Sequence, residues 1–372
     1  MSTQTSVVSL QAPKDVSVSQ VEAELSKIWQ SYGENSAARA STFNLLVYEP
    51  ETIGVASRMA SVDAIASQSP CRVIDLVTLE GEDQGISAQV AAYCPIQKTR
   101  SSLVCGEYIT LSGAKLAFER VHSILPELLI PELPVFLWWK DSPEPNARMF
   151  ERLVNLSDRL IVDSASFVES EADLLKVQGM IQAHTQVADL NWQRLAPWQE
   201  LTAQAFDQPD RRAAVWEIDG ITIDYEKGNS TQALMFLGWI ASRLGWNPIE
   251  RNVEGGDYNL DHIIFEGQNN IKVKAELAAI PVGDPGEVVG DLIGLRLTAS
   301  NQNTEACNVF CSESTGCMRM EAGGNAQNYR VHQVSPLSDQ SADTLLGQQL
   351  QRWGREVLYE ESLALAVKII SL

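Results

Sequence analysis

Thr42-Phe43-Asn44-Leu45-Leu46-Val47-Tyr48 is an apolar run too short for a helix, closed on its carboxyl side by Glu49-Pro50-Glu51. Runs of this kind, without polar alternation, belong to strands buried on both faces of a sheet. Arg72–Val77, Pro134–Trp138 and Arg159–Val162 repeat the pattern, and helical spacing lies between them. Ala117, Val121, Ile124, Leu125 and Leu128 share one helix face, and Ser166-Phe167-Val168-Glu169 makes a capping box ahead of Leu174, Leu175 and Ile181. Ile86–Cys94 and Leu103–Leu111 read as a hairpin across the polar segment Gln97–Ser102. The prediction is an α/β N-terminal domain with a mainly parallel sheet over residues 16–208, behind a flexible lead-in at residues 1–15.

Asp207-Gln208-Pro209-Asp210-Arg211-Arg212 breaks the pattern, with Pro209 as the stop. Beyond it a hairpin is expected over Ala213–Tyr225, turned at Asp219-Gly220, then a helix from Asn229 or Ser230 to Gly245. Short alternating strands follow from His262 to Val334, and helical sequence returns near Ser341. Residues 209–372 therefore read as an α+β C-terminal domain, an antiparallel meander with helices on one side.

The chain has 372 residues and a formal charge of −20, divided as −10 over residues 1–200 and −10 over 201–372. Nucleic acid needs clustered cations, and Arg211-Arg212 or Lys272 and Lys274 are too few, so no nucleic-acid partner is expected. The longest apolar stretch, Leu363–Leu372, is half a bilayer span and carries Lys368, so no membrane association is expected either. The first ten residues lack a basic region followed by an apolar one, which points to the cytoplasm.

An α/β domain invites a nucleotide, which needs a Gly-rich turn at a helix start. Here Glu49-Pro50-Glu51 and Lys140-Asp141-Ser142-Pro143-Glu144 stand in those turns, no phosphate-binding glycine motif occurs, and no cofactor is expected. His122, His184, His262 and His332 are too scattered for a triad or a metal site. The enzyme alternative is a sugar-phosphate pocket at the strand ends near Trp139, Asp141 and Asp163, although those aspartates serve equally well as helix caps.

Cys307, Cys311 and Cys317 fall within eleven positions. Only Cys307 and Cys311 have a zinc-like spacing, and a reversible disulfide between Cys311 and Cys317 across a hairpin turn is the alternative. Cys94 and Cys105 are equidistant from a turn centred between Thr99 and Arg100, which sets them opposite each other. Buried free thiols are the plain reading for both pairs. Nine tryptophans are the other unusual feature. Trp138 and Trp139 are neighbours on one strand and must point to opposite faces. Trp192, Arg194 and Trp198 form a second group, and tryptophan and arginine are the common anchors of protein interfaces, although core packing suits any one tryptophan as well.

Cys105-Gly106-Glu107-Tyr108-Ile109, Ile130-Pro131-Glu132-Leu133-Pro134-Val135-Phe136-Leu137-Trp138-Trp139, Asp158–Ser164, the Trp192-x-Arg194-Leu195-x-Pro197-Trp198 core and Trp353-Gly354-Arg355 through Glu361 resemble the glucose-6-phosphate dehydrogenase assembly protein family, OpcA. The resemblance implies a non-catalytic partner and allosteric activator of glucose-6-phosphate dehydrogenase, controlling entry to the oxidative pentose phosphate pathway. It also implies redox control by thioredoxin in the cyanobacterial members, with Cys311 and Cys317 as the first dithiol to examine. It brings no catalytic residues and does not say which face meets the enzyme.

Overall fold

The computed structural model describes residues 7–9, 13–32, 37–39, 41–50, 70–95, 103–121, 124–207, 209, 212–281, 288–300, 304–312, 317–322, 331–336 and 341–372. Ten strands form the first sheet: β1 (Val7–Ser9), β2 (Lys14–Val16), β3 (Ala37–Arg39), β4 (Asn44–Pro50), β5 (Arg72–Leu79), β6 (Ile86–Pro95), β7 (Leu103–Ala114), β8 (Val135–Trp139), β9 (Arg159–Val162) and β10 (Val187–Asp189). Its main path runs β1-β6-β7-β5-β4-β8-β9-β10. The pairs from β7 through β5, β4 and β8 to β9 are parallel, and β6 is the antiparallel excursion on β7. Helices α1 (Val21–Tyr32), α2 (Lys115–Val121), α3 (Leu125–Leu128) and α4 (Arg148–Leu156) accompany it.

The centre of this sheet is apolar because its strands are covered on both faces: Leu45, Leu46, Ile74, Leu76, Leu137, Leu160 and Ile161 are all buried. A buried ion pair crosses that core. The Arg72 guanidinium lies 2.6 Å from Glu107 with both side chains buried, its Nη1 donates to the Leu128 carbonyl at 2.6 Å, and Trp29 Nε1 donates to Glu107 at 2.6 Å. A buried ion pair is retained only where such hydrogen bonds complete it.

Chain contacts divide the molecule into two compact units, residues 1–163, 182–188 and 342–354 in one, and 164–181, 189–341 and 355–372 in the other. The second unit contains α5 (Ser170–Gln182) up to Ile181, α6 (Leu190–Arg194), α7 (Ala196–Gln204), strand β11 (Gly220–Glu226) and α8 (Thr231–Leu244). The strands β12 (Asn247–Glu254), β13 (Leu260–Glu266), β14 (Lys272–Ile280), β15 (Leu292–Ala299), β16 (Thr304–Ser312), β17 (Cys317–Ala322) and β18 (Val331–Pro336) follow. Helix α9 (Ala342–Gln349) belongs to the first unit and α10 (Val357–Ile370) to the second. The sheet order is β12-β13-β14-β11-β15-β16-β17-β18, antiparallel except where β11 meets β14.

Strand alternation in this second sheet sorts the side chains. Ile221 and Ile223, Ile263 and Phe265, Val273, Ala275 and Leu277, and Leu295 and Leu297 are buried on one face. Helix α8 is buried nearly throughout and ends at Gly245, whose φ of 67° is the left-handed conformation that glycine supplies at a helix end.

Several expectations are corrected. The lead-in at residues 1–15 contains β1 and the start of β2, both paired with β6. The single helix expected through Ala117–Leu128 is two, because Pro126 opens a new first turn in α3. The capping box at Ser166 does not start α5. Asn229 Nδ2 donates to the carbonyls of Ser164, Ala165 and Phe167 and holds that stretch as a separate turn. No hairpin forms over Ala213–Tyr225: Arg212–Glu217 is a short 3-10 turn, and Asp219 accepts from the Ser300 amide instead of turning the chain back. By chain contacts, residues 164–181 and 189–207, which lie before the expected division at residue 208, group with the second unit. No helix among the described residues is long and apolar enough to cross a membrane.

Candidate functional site

The carboxyl ends of β4 and β8 are where a ligand sits in an open parallel sheet. In this chain Tyr48 and Trp139 stack there with ring centroids 3.7 Å apart, and Phe150 of α4 meets Trp139 edge-on at 4.8 Å. Lys140 pairs with Glu49 and lies 3.9 Å above the Trp138 ring. Trp139 Nε1 donates to the Ser142 carbonyl at 3.1 Å, while Asp141 accepts from the Ser142 amide at 2.7 Å and so shapes its own turn. Burial pushes the Tyr48 hydroxyl up in pKa, keeping it neutral against the ring it stacks on. A cavity of about 180 Å³ lies elsewhere, over β5, β6 and β7, with Asp75, Gln89, Tyr93, Tyr108, Thr110 and Ser112 in its wall. Trp139, Asp141 and Asp163 do not line it.

The tryptophans considered as partner anchors are core residues. Trp138, Trp139, Trp192 and Trp198 are 2%, 1%, 7% and 2% exposed, and Arg194 is 9% exposed. Trp138 and Trp139 do point to opposite faces, but both faces of β8 are covered. Trp192 and Trp198 pack on Tyr359 and Phe236 within the second unit. The exposed tryptophans are Trp216 and Trp353, which sequence spacing did not single out.

Around Arg194 the second unit contains a buried polar network. Asp189 caps α6 by accepting from the Asn191 amide at 2.9 Å, and it also accepts from the Ser164 amide at 3.0 Å. Asn191 donates to Ser164 Oγ and to Thr231 Oγ1, at 3.1 and 2.9 Å, and accepts from Gln232 at 2.9 Å and from Arg194 at 3.3 Å. Arg194 is thus spent on its own neighbours. Each of these residues passes in the sequence for a helix cap or a surface polar group, so nothing in the pattern marks them as one cluster.

The cysteines divide between the units. Cys71 is buried and free, and burial pushes its thiol up to about 12. Cys105 is disulfide-bonded. In the β6–β7 register Tyr93 faces Gly106, and the next step sets position 94 across from position 105. Cys94, Cys307, Cys311 and Cys317 have side chains outside the described residues, but the strand backbone places the last two. Ser312 faces Cys317 and Cys311 faces Met318, so positions 311 and 317 flank the β16–β17 turn one residue out of register. Among the described residues no group of three or more His, Cys, Asp or Glu is placed to hold a metal.

The second unit's other sheet face differs from its buried one. Thr222 on β11 lies in line with Glu276 on β14 and Arg296 on β15, and Glu276 in turn with His262 on β13. Lys272, Lys274 and Arg296 on this face are exposed, and Thr222, His262, Ile264 and Glu276 half-exposed. Burial, with Glu276 nearby, raises the Asp224 carboxyl in pKa against the opposing pull of Arg296.

Two sequence families match the chain, described as the N-terminal and the C-terminal domains of the glucose-6-phosphate dehydrogenase subunit. The N-terminal one covers residues 62–179, and its C-terminal counterpart covers residues 185–363. The chain belongs to the OpcA family. Among its OpcA relatives, the OxPP cycle protein OpcA of Nostoc punctiforme is 46% identical over 100% of this chain and 97% of the relative. That of Synechocystis sp. is 43% identical over 98% of this chain and 94% of the relative. Among solved structures, an NAD-binding oxidoreductase from Klebsiella pneumoniae matches with a TM-score of 0.48 at 8% identity, covering 89% of this chain and 96% of that one.

Proposed function

We propose that this OpcA-family chain is a non-catalytic partner of glucose-6-phosphate dehydrogenase in the oxidative pentose phosphate cycle. The observation that carries the proposal is the match of both halves to domains described as belonging to that dehydrogenase, over residues 62–179 and 185–363. The strand ends support it, since a tyrosine–tryptophan stack and a lysine–glutamate pair occupy the place where an α/β enzyme receives its substrate.

A partner activates an enzyme only through differential affinity, so this chain binds the active conformation or assembly of the dehydrogenase more tightly than the inactive one. Redox control enters through Cys311 and Cys317. The β16–β17 register leaves the two positions out of line, so closing a bond between them reshapes that hairpin. The exchange is balanced by a dithiol–disulfide protein of the thioredoxin class, which takes or supplies two electrons and two protons.

Titration of purified dehydrogenase with this chain, oxidised and reduced, tests both layers. The expected result is a shift in the substrate saturation curve that depends on the redox state. Cys311→Ser is expected to keep the shift and remove its redox dependence. No shift under either condition contradicts the partnership, and an unchanged redox response in Cys311→Ser contradicts the switch.

A further inference from the structure

We infer that the exposed face of the eight-stranded sheet, centred on Thr222, Lys274 and Arg296, is the surface that seats the dehydrogenase, through carboxylates on the enzyme's side. This rests on the partnership proposed above and adds the place of contact.

Alternation makes the face. Thr222 and Asp224 on β11 align with Glu276 and Ala278 on β14 and with Arg296 and Gly294 on β15, while Lys274 aligns with Ile264 and Lys272 with Glu266 on β13. Their strand neighbours of opposite parity are the buried residues Ile221, Ile223, Val273, Ala275, Leu277, Ile263 and Leu295. Gly220, Ala278 and Gly294 lower the relief, so a second surface can approach the strands closely.

Charge marks the centre of this face as an exception. In a chain of −20, the central strands β13, β14, β11 and β15 present Lys272, Lys274 and Arg296 against Asp224, Glu266 and Glu276, a local balance of zero, and the acids Glu250 and Glu254 on the same face stand at the edge strand β12. None of the three cations forms an ion pair within 4 Å with a described residue, whereas elsewhere in the same unit Arg251 pairs with Glu171 and Asp261, Arg243 with Glu361, and Arg355 with Glu360. Lys272 and Lys274, exposed and held by no described acid, and Arg296, whose charge reaches Asp224 without an ion pair, fit an acidic protein surface, and charges of this kind set the on-rate and orientation of docking.

Size agrees. Eight strands about 4.8 Å apart, with about seven residues each at about 3.3 Å, span about 800 Å². That is about what one partner contributes to a stable complex. The whole face lies within residues 185–363, the part that matches the C-terminal of the two dehydrogenase-associated domains.

The test is the affinity of the full chain for purified glucose-6-phosphate dehydrogenase from the same organism, with Lys274→Glu, Arg296→Glu and the double variant. Lys368→Glu, on exposed α10 surface, controls for the change in net charge. The account expects at least a tenfold loss of affinity in the double variant, a smaller loss in each single variant and less than a twofold change in the control, all at an unchanged melting temperature. Should the double variant melt early, the single variants carry the comparison. Wild-type affinity in correctly folded variants overturns the inference and leaves the partnership standing. A wild-type chain that does not bind overturns both. A dimer of this chain that the same substitutions dissociate assigns the face to a second copy and overturns the inference as well.

Discussion

Gly238 on α8 lies so close to Ser362 on α10 that a Cβ at Gly238 would stand 2.2 Å from the Ser362 carbonyl oxygen. The two helices meet backbone to side, and only glycine allows that separation. Gly238→Ala must push them apart and is expected to destabilise the chain by about 1–3 kcal/mol, the usual cost of overpacking a well-filled interior. Thermal or urea unfolding checks it. Since neither helix supplies a residue to the exposed sheet face, binding by the folded fraction is expected to survive.

Removing Glu107 takes away the buried carboxylate of Arg72 and leaves its guanidinium with the half-exposed Glu22 alone. Glu107→Ala is expected to cost up to about 3 kcal/mol, the lower end of what breaking a buried pair from one side costs, because Glu22 still offsets the charge. Replacing both residues by apolar ones is expected to cost much less, because then no charge is stranded. Urea midpoints of the single and double variants separate the two cases.

If Trp138 and Trp139 are core residues, truncating them acts on stability first. Trp139→Ala, which removes the stack on Tyr48 and the contact with Phe150, is expected to lose about 3–5 kcal/mol. An interface anchor would behave in the opposite way, leaving the melting temperature alone and weakening the complex.

Alkaline pH provides a further check. Burial pushes Cys71 up to about 12 from 9.0, and burial with the Asp261 charge pushes Tyr225 up to about 12 from 10.0. Above about pH 9 the unfolded chain therefore releases protons that the folded chain still holds. The stability these groups provide is complete below pH 9 and lost as pH rises towards 12. Urea midpoints at pH 8, 9.5 and 11 are expected to fall in that order, less steeply in Tyr225→Phe. A midpoint that holds or rises contradicts the assignment.

The strands Arg72–Leu79, Val135–Trp139 and Arg159–Val162 were legible because a doubly covered strand has no polar alternation to confuse the reading. Helix α8 was legible from Gly245 at its end. The contacts of residues 164–181 and 189–207 with the second unit were not, because the hydrogen bonds that join Ser164 and Asn191 to Asn229 and Thr231 there are announced by no local pattern. Tryptophan itself misled: an indole suits an interface and a core equally, and only the packing of Tyr48 and Phe150 around Trp139 decides between them. Lys272 and Lys274 were visible as an alternating pair, but that they share an exposed face with Arg296 needs the pairing of β11 with β14 and β15, strands about fifty and seventy residues away along the chain.

The most direct test of the central claim is the mass of the species formed when this chain meets purified glucose-6-phosphate dehydrogenase, read together with the enzyme's substrate saturation curve in the same mixture. The account predicts a defined complex whose formation lowers the substrate concentration needed for half-maximal rate or raises the maximal rate. Two species that elute at their separate masses, with a saturation curve identical to that of the enzyme alone, would contradict it.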